Sequence, residues 1–557
     1  MVRQMINMVY KEVRGLHQAA YILALFALAS QLLALLRDRL LAHQFGAGAE
    51  LDIYYAAFRI PDLLFVLIIS VSSVYVLIPF VSGAVSNGNG SDARRLLSQV
   101  FSLLFLVYTV VAVTVFIFVP SLLSVLFPNV HDQETLVVLT RILLLQPFLL
   151  GISGLYGVIT QLSHRFVIYA LSPLLYNAGI IIGILFFYPV LGLAGLGWGV
   201  VLGAILHFLV QWPLVRQSDL RIGFDWHFDW AKLRSVFAVS IPRSLALSMQ
   251  QLVLLALVAL AGTMATGSIA IFQFAYNLQS VPLAIIGVSY SVAAFPLLAE
   301  LYSKANHEKF AIHVLTPLRH IIFWSMPTIA LIVVLRAQLV RVVLGSGEFD
   351  WTDTRLTAAV LALLSLSLVA QAMYLVVVRA FYAGGRTRIP FYGTVIGSVL
   401  AIAFAYGFLL LYGAHEEART AIASFMRLDG VFGSEVLAIA FGYSLATILQ
   451  TIVLTWLMGK VFSISLSALI RPLVVAFYAA VVGGLAAYIT LNFIVVGIDQ
   501  ERFLGVFIQG VLAGIAGLVG TVITYAYFES RELHEIYTSL HRKFVKTEIV
   551  APQEEVF

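Results

Sequence analysis

The sequence predicts an all-α polytopic membrane protein of about 14 transmembrane helices. Three observations carry that reading: hydrophobic residues make up 61% of the chain, charged residues only 11%, and the apolar residues come in long continuous runs. A water-soluble domain carries about a quarter of its residues charged. With less than half of that, most of this surface faces lipid, and the mean hydropathy of +0.98 says the same. Runs of about 20 apolar residues match the hydrocarbon thickness at 1.5 Å per helical residue. A membrane barrel would show short alternating segments instead.

The first apolar run, 17–36, follows a polar, weakly basic start and ends in Arg37-Asp38-Arg39 without a small-residue cleavage site. It reads as a retained first helix rather than a removable leader. The next runs span 54–80, 97–126, 136–162, 168–188 and 192–215. Eight more follow, at 234–261, 268–299, 318–343, 356–384, 390–412, 436–458, 468–493 and 503–528. With both termini cytoplasmic, about three basic residues fall in inside segments for each one outside, as the positive-inside rule asks. The basic pI of 9.2 is thus an orientation signal and does not imply nucleic acid. No gap between runs is long enough for a soluble domain.

Runs two and eight share a feature. Pro61 and Pro79 flank Val71-Ser72-Ser73-Val74, and Pro282 and Pro296 flank Val288-Ser289-Tyr290-Ser291. Their separation by six runs suggests two six-helix pseudo-repeats with two appended helices. Paired proline-interrupted helices in corresponding halves point to a transport pathway, although membrane helices also tolerate proline on their own account. The expected organisation is a lobe over 1–216, a second over 217–462, helices 13 and 14 over 463–528, and a cytoplasmic tail over 529–557.

Enzyme and cofactor signatures are missing. There is no cysteine, no metal-spaced histidine pair, no phosphate-binding loop and no nucleophile elbow. No cofactor is expected. Gly192, Gly195, Gly197, Gly199 and Gly203 lie in an apolar helix and read as close helix packing, not a dinucleotide loop. Charges inside the apolar runs are the remaining candidates, because they are costly there and usually face a polar cavity or a partner. Arg37 with Asp38, Asp52, and Arg59 with Asp62 stand out. Local pairing or snorkelling to the interface is the alternative for each. For Arg243, beside Pro242, a helix-start kink is the bland reading; Arg141 and Arg379 are as open to structural pairing as to ligand contact.

The stretch Leu36-Arg37-Asp38-Arg39-Leu40-Leu41-Ala42, then Phe45-Gly46-Ala47-Gly48-Ala49-Glu50-Leu51-Asp52, then Ala57-Phe58-Arg59-Ile60-Pro61-Asp62-Leu63-Leu64 resembles the amino-terminal signature of the MurJ/MviN flippases. Further matches follow in order: Arg165-Phe166 with Pro173 and Asn177, Glu348-Phe349-Asp350 with Thr354, and Arg379-Ala380-Phe381-Tyr382-Ala383 with Thr387 and Pro390. The resemblance implies the multidrug/oligosaccharidyl-lipid/polysaccharide exporter fold. It also implies alternating-access flipping of lipid II, a polyprenyl-pyrophosphate-linked peptidoglycan precursor, across the bacterial inner membrane. Arg37 and Arg59 would engage the anionic headgroup, with Asp38 and Asp52 orienting those arginines or titrating; Gln31, Arg243, Asn277 and Arg379 are candidates for the cavity wall. The implied partners are the lipid-linked glycan, membrane lipids and proteins of cell-wall synthesis.

The sequence departs from the family where Gln31 and Asn277 stand for arginines, and where Phe65-Val66 replace a cationic stretch. These departures bear on the cargo rather than the fold. Two rival readings stay open. One is export of another lipid-linked oligosaccharide or amphipathic substrate; the other is a non-transporting scaffold with a degenerate cavity.

Overall fold

A computed structural model of the chain describes residues 16–69, 74–86, 89–495, 497–498 and 502–544. Among them the regular secondary structure is all helix, with no strand. The first helix, α1 (Leu16–Phe45), runs 30 residues. The second apolar run is delivered in pieces, α2 (Ala49–Ala57), α3 (Arg59–Ile68) and α4 (Val74–Ser86). Pro61, which has no N–H to give to the preceding turn, sits in the first turn of α3 just after the break at Phe58, where that N–H would have no partner in any case. Then come α5 (Gly90–Leu126), α6 (Gln133–Leu143), α7 (Leu145–Leu162), α8 (Phe166–Ile182), α9 (Leu193–Leu209), α10 (Trp212–Gln217) and α11 (Trp230–Ala261).

The chain continues with α12 (Ser268–Pro282), a π-turn over Leu283–Val288, and α13 (Ser289–Ser303). There follow α14 (His307–Val343), α15 (Trp351–Ser365), α16 (Leu368–Ala383), α17 (Arg388–Ala414), α18 (Glu416–Phe425) and α19 (Val436–Val461). The last three are α20 (Ile470–Ile489), α21 (Phe503–Tyr527) and α22 (Arg531–Phe544). Among the described residues, 11 helices are long and apolar enough to cross a membrane, or 12 if α15 and α16, bent by 42°, form one span. Adding α1 and the interrupted α2–α4 run makes this compatible with the 14 expected spans. Of the paired proline feature, Val71, Ser72 and Ser73 lie outside the described residues. In the other copy the π-turn directly follows Pro282, a usual site for a local break in the helical ladder.

Contacts group the chain in two units. The first comprises Met1–Leu278, Val343–Val360 and Phe391–Ala446. One of its cores packs Leu77 and Val81 of α4, Leu97 and Val100 of α5, Leu155 and Val158 of α7, and Val236 of α11. Glycines of α8, of the π-turn that continues it (Gly183–Phe187) and of α9 let this segment and α9 touch backbone to backbone. A Cβ on Gly199 would collide with the Gly183 Cα, and one on Gly179 with the Gly203 Cα. Gly195, Gly197, Gly199 and Gly203 are packing glycines, as their apolar setting predicts, whereas Gly192 stands in the turn before α9 at φ +58° with nothing near its Cβ position. The segment between α10 and α11 is strapped onto α5: Asp225 N donates to Ser102 Oγ (2.8 Å), and Gln99 Nε2 donates to the His227 carbonyl (2.5 Å).

The second unit comprises Gln279–Val342, Leu361–Pro390 and Thr447–Phe557. Its core joins Leu298 of α13, Ile321 of α14, Val376 of α16, Met458 of α19 and Ala476 of α20. Gly483 and Gly517 bring α20 and α21 together, with Thr521 Oγ1 occupying the space where a Gly483 Cβ would stand. The tail helix α22 is held to α14 by Arg319, which reaches Glu532 (3.7 Å) and Glu535 (3.6 Å), and by His320 Nε2 at 2.9 Å from Glu535.

Candidate functional site

Charge enters the first unit on α1, about two turns before its end. Asp38 is 2% exposed and Arg59 6%, so neither is a snorkelling interface residue. Arg37 grips its neighbour twice, through Nε (3.0 Å) and Nη2 (2.8 Å) to the same Asp38 oxygen. Its Nη1 donates to Asn177 Oδ1 on α8 (3.0 Å). Asn177 in turn donates to the Pro173 carbonyl (3.1 Å) and to Ser30 Oγ (3.4 Å). The other Asp38 oxygen accepts from Asn277 Nδ2 on α12 (2.9 Å).

From there the chain of bonds continues. Gln273 Nε2 donates to Asn277 Oδ1 (2.7 Å), and Arg59 Nη2 donates to Gln273 Oε1 (3.0 Å). Arg59 is fixed at its other edge by Nε donating to the Tyr55 carbonyl (3.0 Å), one of the last-turn carbonyls that a helix leaves without an internal partner. The α2/α3 break thus serves the site, because it puts Arg59 where its side chain can close the end of α2. A continuous relay results, Arg59–Gln273–Asn277–Asp38–Arg37–Asn177, drawn from α3, α12, α1 and α8. Its donors and acceptors alternate without conflict, as a buried polar network requires. The two guanidiniums retain N–H groups beyond these bonds. They can therefore offer a fork to phosphate oxygens, and Arg37, with its side chain 20% exposed, can do so at an accessible edge.

The expected residues separate into three groups. Arg37, Asp38, Arg59 and Asn277 come together in the relay. The Arg37–Asp38 pairing read from the sequence is present, whereas Arg59 turns to Tyr55 and Gln273 rather than to Asp62. Asp52 has a different task from orienting an arginine. Its carboxylate accepts from Gly267 N (2.6 Å) and Ala270 N (2.9 Å), so it satisfies the first turn of α12 from another helix. Gly267 adopts φ +91°, and a Cβ there would collide with the Ala47 carbonyl oxygen. Only glycine fits the approach that brings α12 onto Asp52.

Gln31 is half-buried on α1, six residues before Arg37. Arg379 lies on α16 in the second unit, its guanidinium 6.0 Å from the Phe295 ring centre. The Arg243 side chain lies outside the described residues. Sequence reasoning missed Gln273. A signal existed: Gln273 and Asn277 are two amides one turn apart in an apolar run, hence on one helix face, where a polar residue is expected to find a partner.

The family model described as lipid II flippase MurJ matches residues 41–504. A probable lipid II flippase MurJ of Rhizobium tropici is 25% identical over 409 residues, covering 71% of this chain and 75% of its own length. The lipid II flippase MurJ of Burkholderia cenocepacia is 26% identical over 376 residues, covering 66% and 73%. Among solved structures, a lipid II flippase MurJ in an inward closed conformation aligns with a TM-score of 0.71 at 21% identity, over 91% of this chain and 99% of that one. An inward-facing multidrug resistance MATE family transporter of the MOP superfamily aligns with a TM-score of 0.65 at 15% identity, over 78% and 94%. These two likenesses speak to the fold. The family match, spanning well over half of the 557 residues, speaks to descent: this multi-pass membrane chain belongs to the lipid II flippase MurJ family.

Proposed function

We propose that this protein flips lipid II, the polyprenyl-pyrophosphate-linked peptidoglycan precursor, across the bacterial inner membrane by alternating access, with both termini in the cytoplasm. The observation that carries the reading is the buried relay that positions Arg37 and Arg59. A pyrophosphate is a compact cluster of acceptor oxygens on adjacent phosphorus atoms, and a guanidinium meets such oxygens with two parallel bonds. In a dry site that contact is stronger than in water. Arg37 and Arg59 bind the headgroup, and Asp38 holds Arg37 in register between visits. Asn277 holds Asp38. Asp52 acts at one remove, by fixing the start of the helix that carries Gln273 and Asn277.

The test is depletion of the protein in its own host, followed by chemical identification of the lipid-linked precursor that accumulates and of the leaflet that holds it. Lipid II retained on the cytoplasmic side supports the reading. Unchanged lipid II distribution, with the protein gone, rejects it. A second reading keeps the fold and changes the cargo to another lipid-linked oligosaccharide with a less anionic head. It is favoured by the Arg37–Asp38 contact at 2.8 Å, which neutralises one of the two arginines, and by Asn277 contributing an amide where the family has a cation. Accumulation of a different lipid-linked glycan would select it.

A further inference from the structure

A groove on the first unit, built from helices that carry no residue of the relay, encloses about 440 Å³ between α5, α6, α7 and α9. That lies within the roughly 300–1,000 Å³ typical of ligand pockets. Its walls are apolar and aromatic: Phe105, Tyr108, Val113, Phe116, Phe148 and Trp198. Tyr108 and Phe148 stack at 6.1 Å between ring centres, and Phe105 meets Phe148 edge-on at 5.4 Å. The Tyr108 hydroxyl donates to the Leu144 carbonyl (2.5 Å), so its polar tip is turned into the protein. Val113, Phe116 and Trp198 are each more than two-fifths exposed, which opens the groove towards lipid.

The groove has one charged residue, Arg141. Its Nε donates to the Phe116 carbonyl (3.2 Å), and its guanidinium carbon stands 4.5 Å from the Phe116 ring centre. Among the described residues no carboxylate lies within 4.0 Å of it. A guanidinium within a membrane-facing apolar groove is costly without a counter-charge. What would supply the missing charge must also fill an apolar slot. We propose that this groove is a binding site for an anionic phospholipid of the surrounding bilayer, with one acyl chain along the Phe105–Phe148–Trp198 wall and its phosphate on Arg141. Basic residues between membrane helices recognise lipid headgroups in this way, and the planar fork suits a phosphodiester.

Trp198 in the groove provides the readout. The full-length protein is placed in nanodiscs containing phosphatidylglycerol or phosphatidylcholine brominated on one acyl chain, and the quenching of Trp198 is isolated by subtracting a Trp198→Phe variant. The expected result is stronger quenching by phosphatidylglycerol, by about fivefold in apparent affinity, which converts the roughly 1 kcal/mol that one arginine contributes to an anionic headgroup. Arg141→Gln should bring the two lipids to parity, and Arg141→Lys should keep most of the preference. Ala112→Phe, which fills the slot without adding a second fluorophore that would obscure Trp198, should reduce quenching by both lipids. Thermal unfolding in detergent separates these effects from misfolding. Equal quenching by the two lipids in the unaltered protein overturns the proposal, as does a preference that survives Arg141→Gln. Displacement of the brominated phosphatidylglycerol by stoichiometric polyprenyl pyrophosphate would assign the groove to a substrate tail and also overturn it.

Discussion

Arg37 and Arg39 sit two positions apart on α1 and have different partners. Arg37 is held by Asp38 and Asn177, whereas Arg39 reaches the Val343 carbonyl at 3.4 Å, at the long end of hydrogen bonding. Removing Arg37 leaves the Asp38 carboxylate, 2% exposed, with a charge and, among the described residues, only the Asn277 amide to meet it. Breaking one side of a buried ion pair costs about 3–5 kcal/mol. Arg37→Ala is therefore expected to abolish transport while the protein still inserts, and Arg39→Ala to retain most of it. A flipping measurement on both variants, at matched membrane levels, checks this; equal and near-normal rates would place the headgroup elsewhere. The Arg37–Asp38 pair was legible in the sequence because adjacency needs no fold to create it. The Arg59–Gln273 and Asp38–Asn277 bonds were not, since 214 and 239 residues separate the partners and only tertiary packing brings them together. Asn277 looked like a lost charge in the linear sequence. In the structure it is the amide that holds Asp38.

At the scale of the elements, sequence patterns were informative wherever the cause is local. The long apolar runs became helices, Pro61 marked the α2/α3 break, and the glycine-rich run became a contact face. The consequence for that face is a sharp contrast. Gly199→Leu forces a side chain onto the Gly183 backbone and should cost about 1–3 kcal/mol or more by overpacking. Gly154→Leu, where a Cβ meets nothing within 4 Å, should be tolerated. Thermal midpoints of the two purified variants in detergent test the difference. The docking of α22 was not legible, because its partners Arg319 and His320 belong to an apolar-flanked helix more than 200 residues earlier. For Glu535, partial burial works to raise the carboxyl, but the hydrogen bonds from Arg531 and His320 and the charge of Arg319 outweigh it, and the group lies below its ordinary value of 4.5. A lowered folded value means that this contact stabilises the docked helix fully above about pH 4.5 and is lost as pH falls through the folded value. Hydrogen exchange of α22 should accordingly rise as pH drops below 4.5, after correction for intrinsic rates. In Glu535→Gln the protection should be weaker at neutral pH and flatter with pH; identical profiles would remove Glu535 from the docking.

At the scale of the whole molecule, the basic-residue bias predicts both ends in the cytoplasm. Reporter fusions after Phe127, Gly267 and Gly345 should report outside, and fusions after Asn89 and Gly223 inside; reversed signals at two sites would refute that orientation. The larger question is how well this member performs the task of its family. The relay contains two arginines, one of them neutralised by Asp38, and Asn277 and Gln31 stand where the resemblance places cations. A hydrogen bond to a charged group contributes about 1.5–3 kcal/mol. Two such contacts missing from the pyrophosphate would weaken its capture by a hundredfold or more, at about 1.4 kcal/mol per tenfold. The unmodified protein is therefore expected to rescue a bacterium depleted of its own lipid II flippase poorly. Asn277→Arg restores a cation beside Asp38, where it competes with Arg37 for the carboxylate and frees Arg37 to face the substrate. Gln31→Arg adds a further cation on the helix that carries Arg37. The double variant should rescue better than the unmodified protein, with insertion of both confirmed. Full rescue by the unmodified protein would instead mean that Arg37 and Arg59, held as the relay holds them, already bind the headgroup tightly enough, and that the amides replacing the family's cations cost nothing in transport.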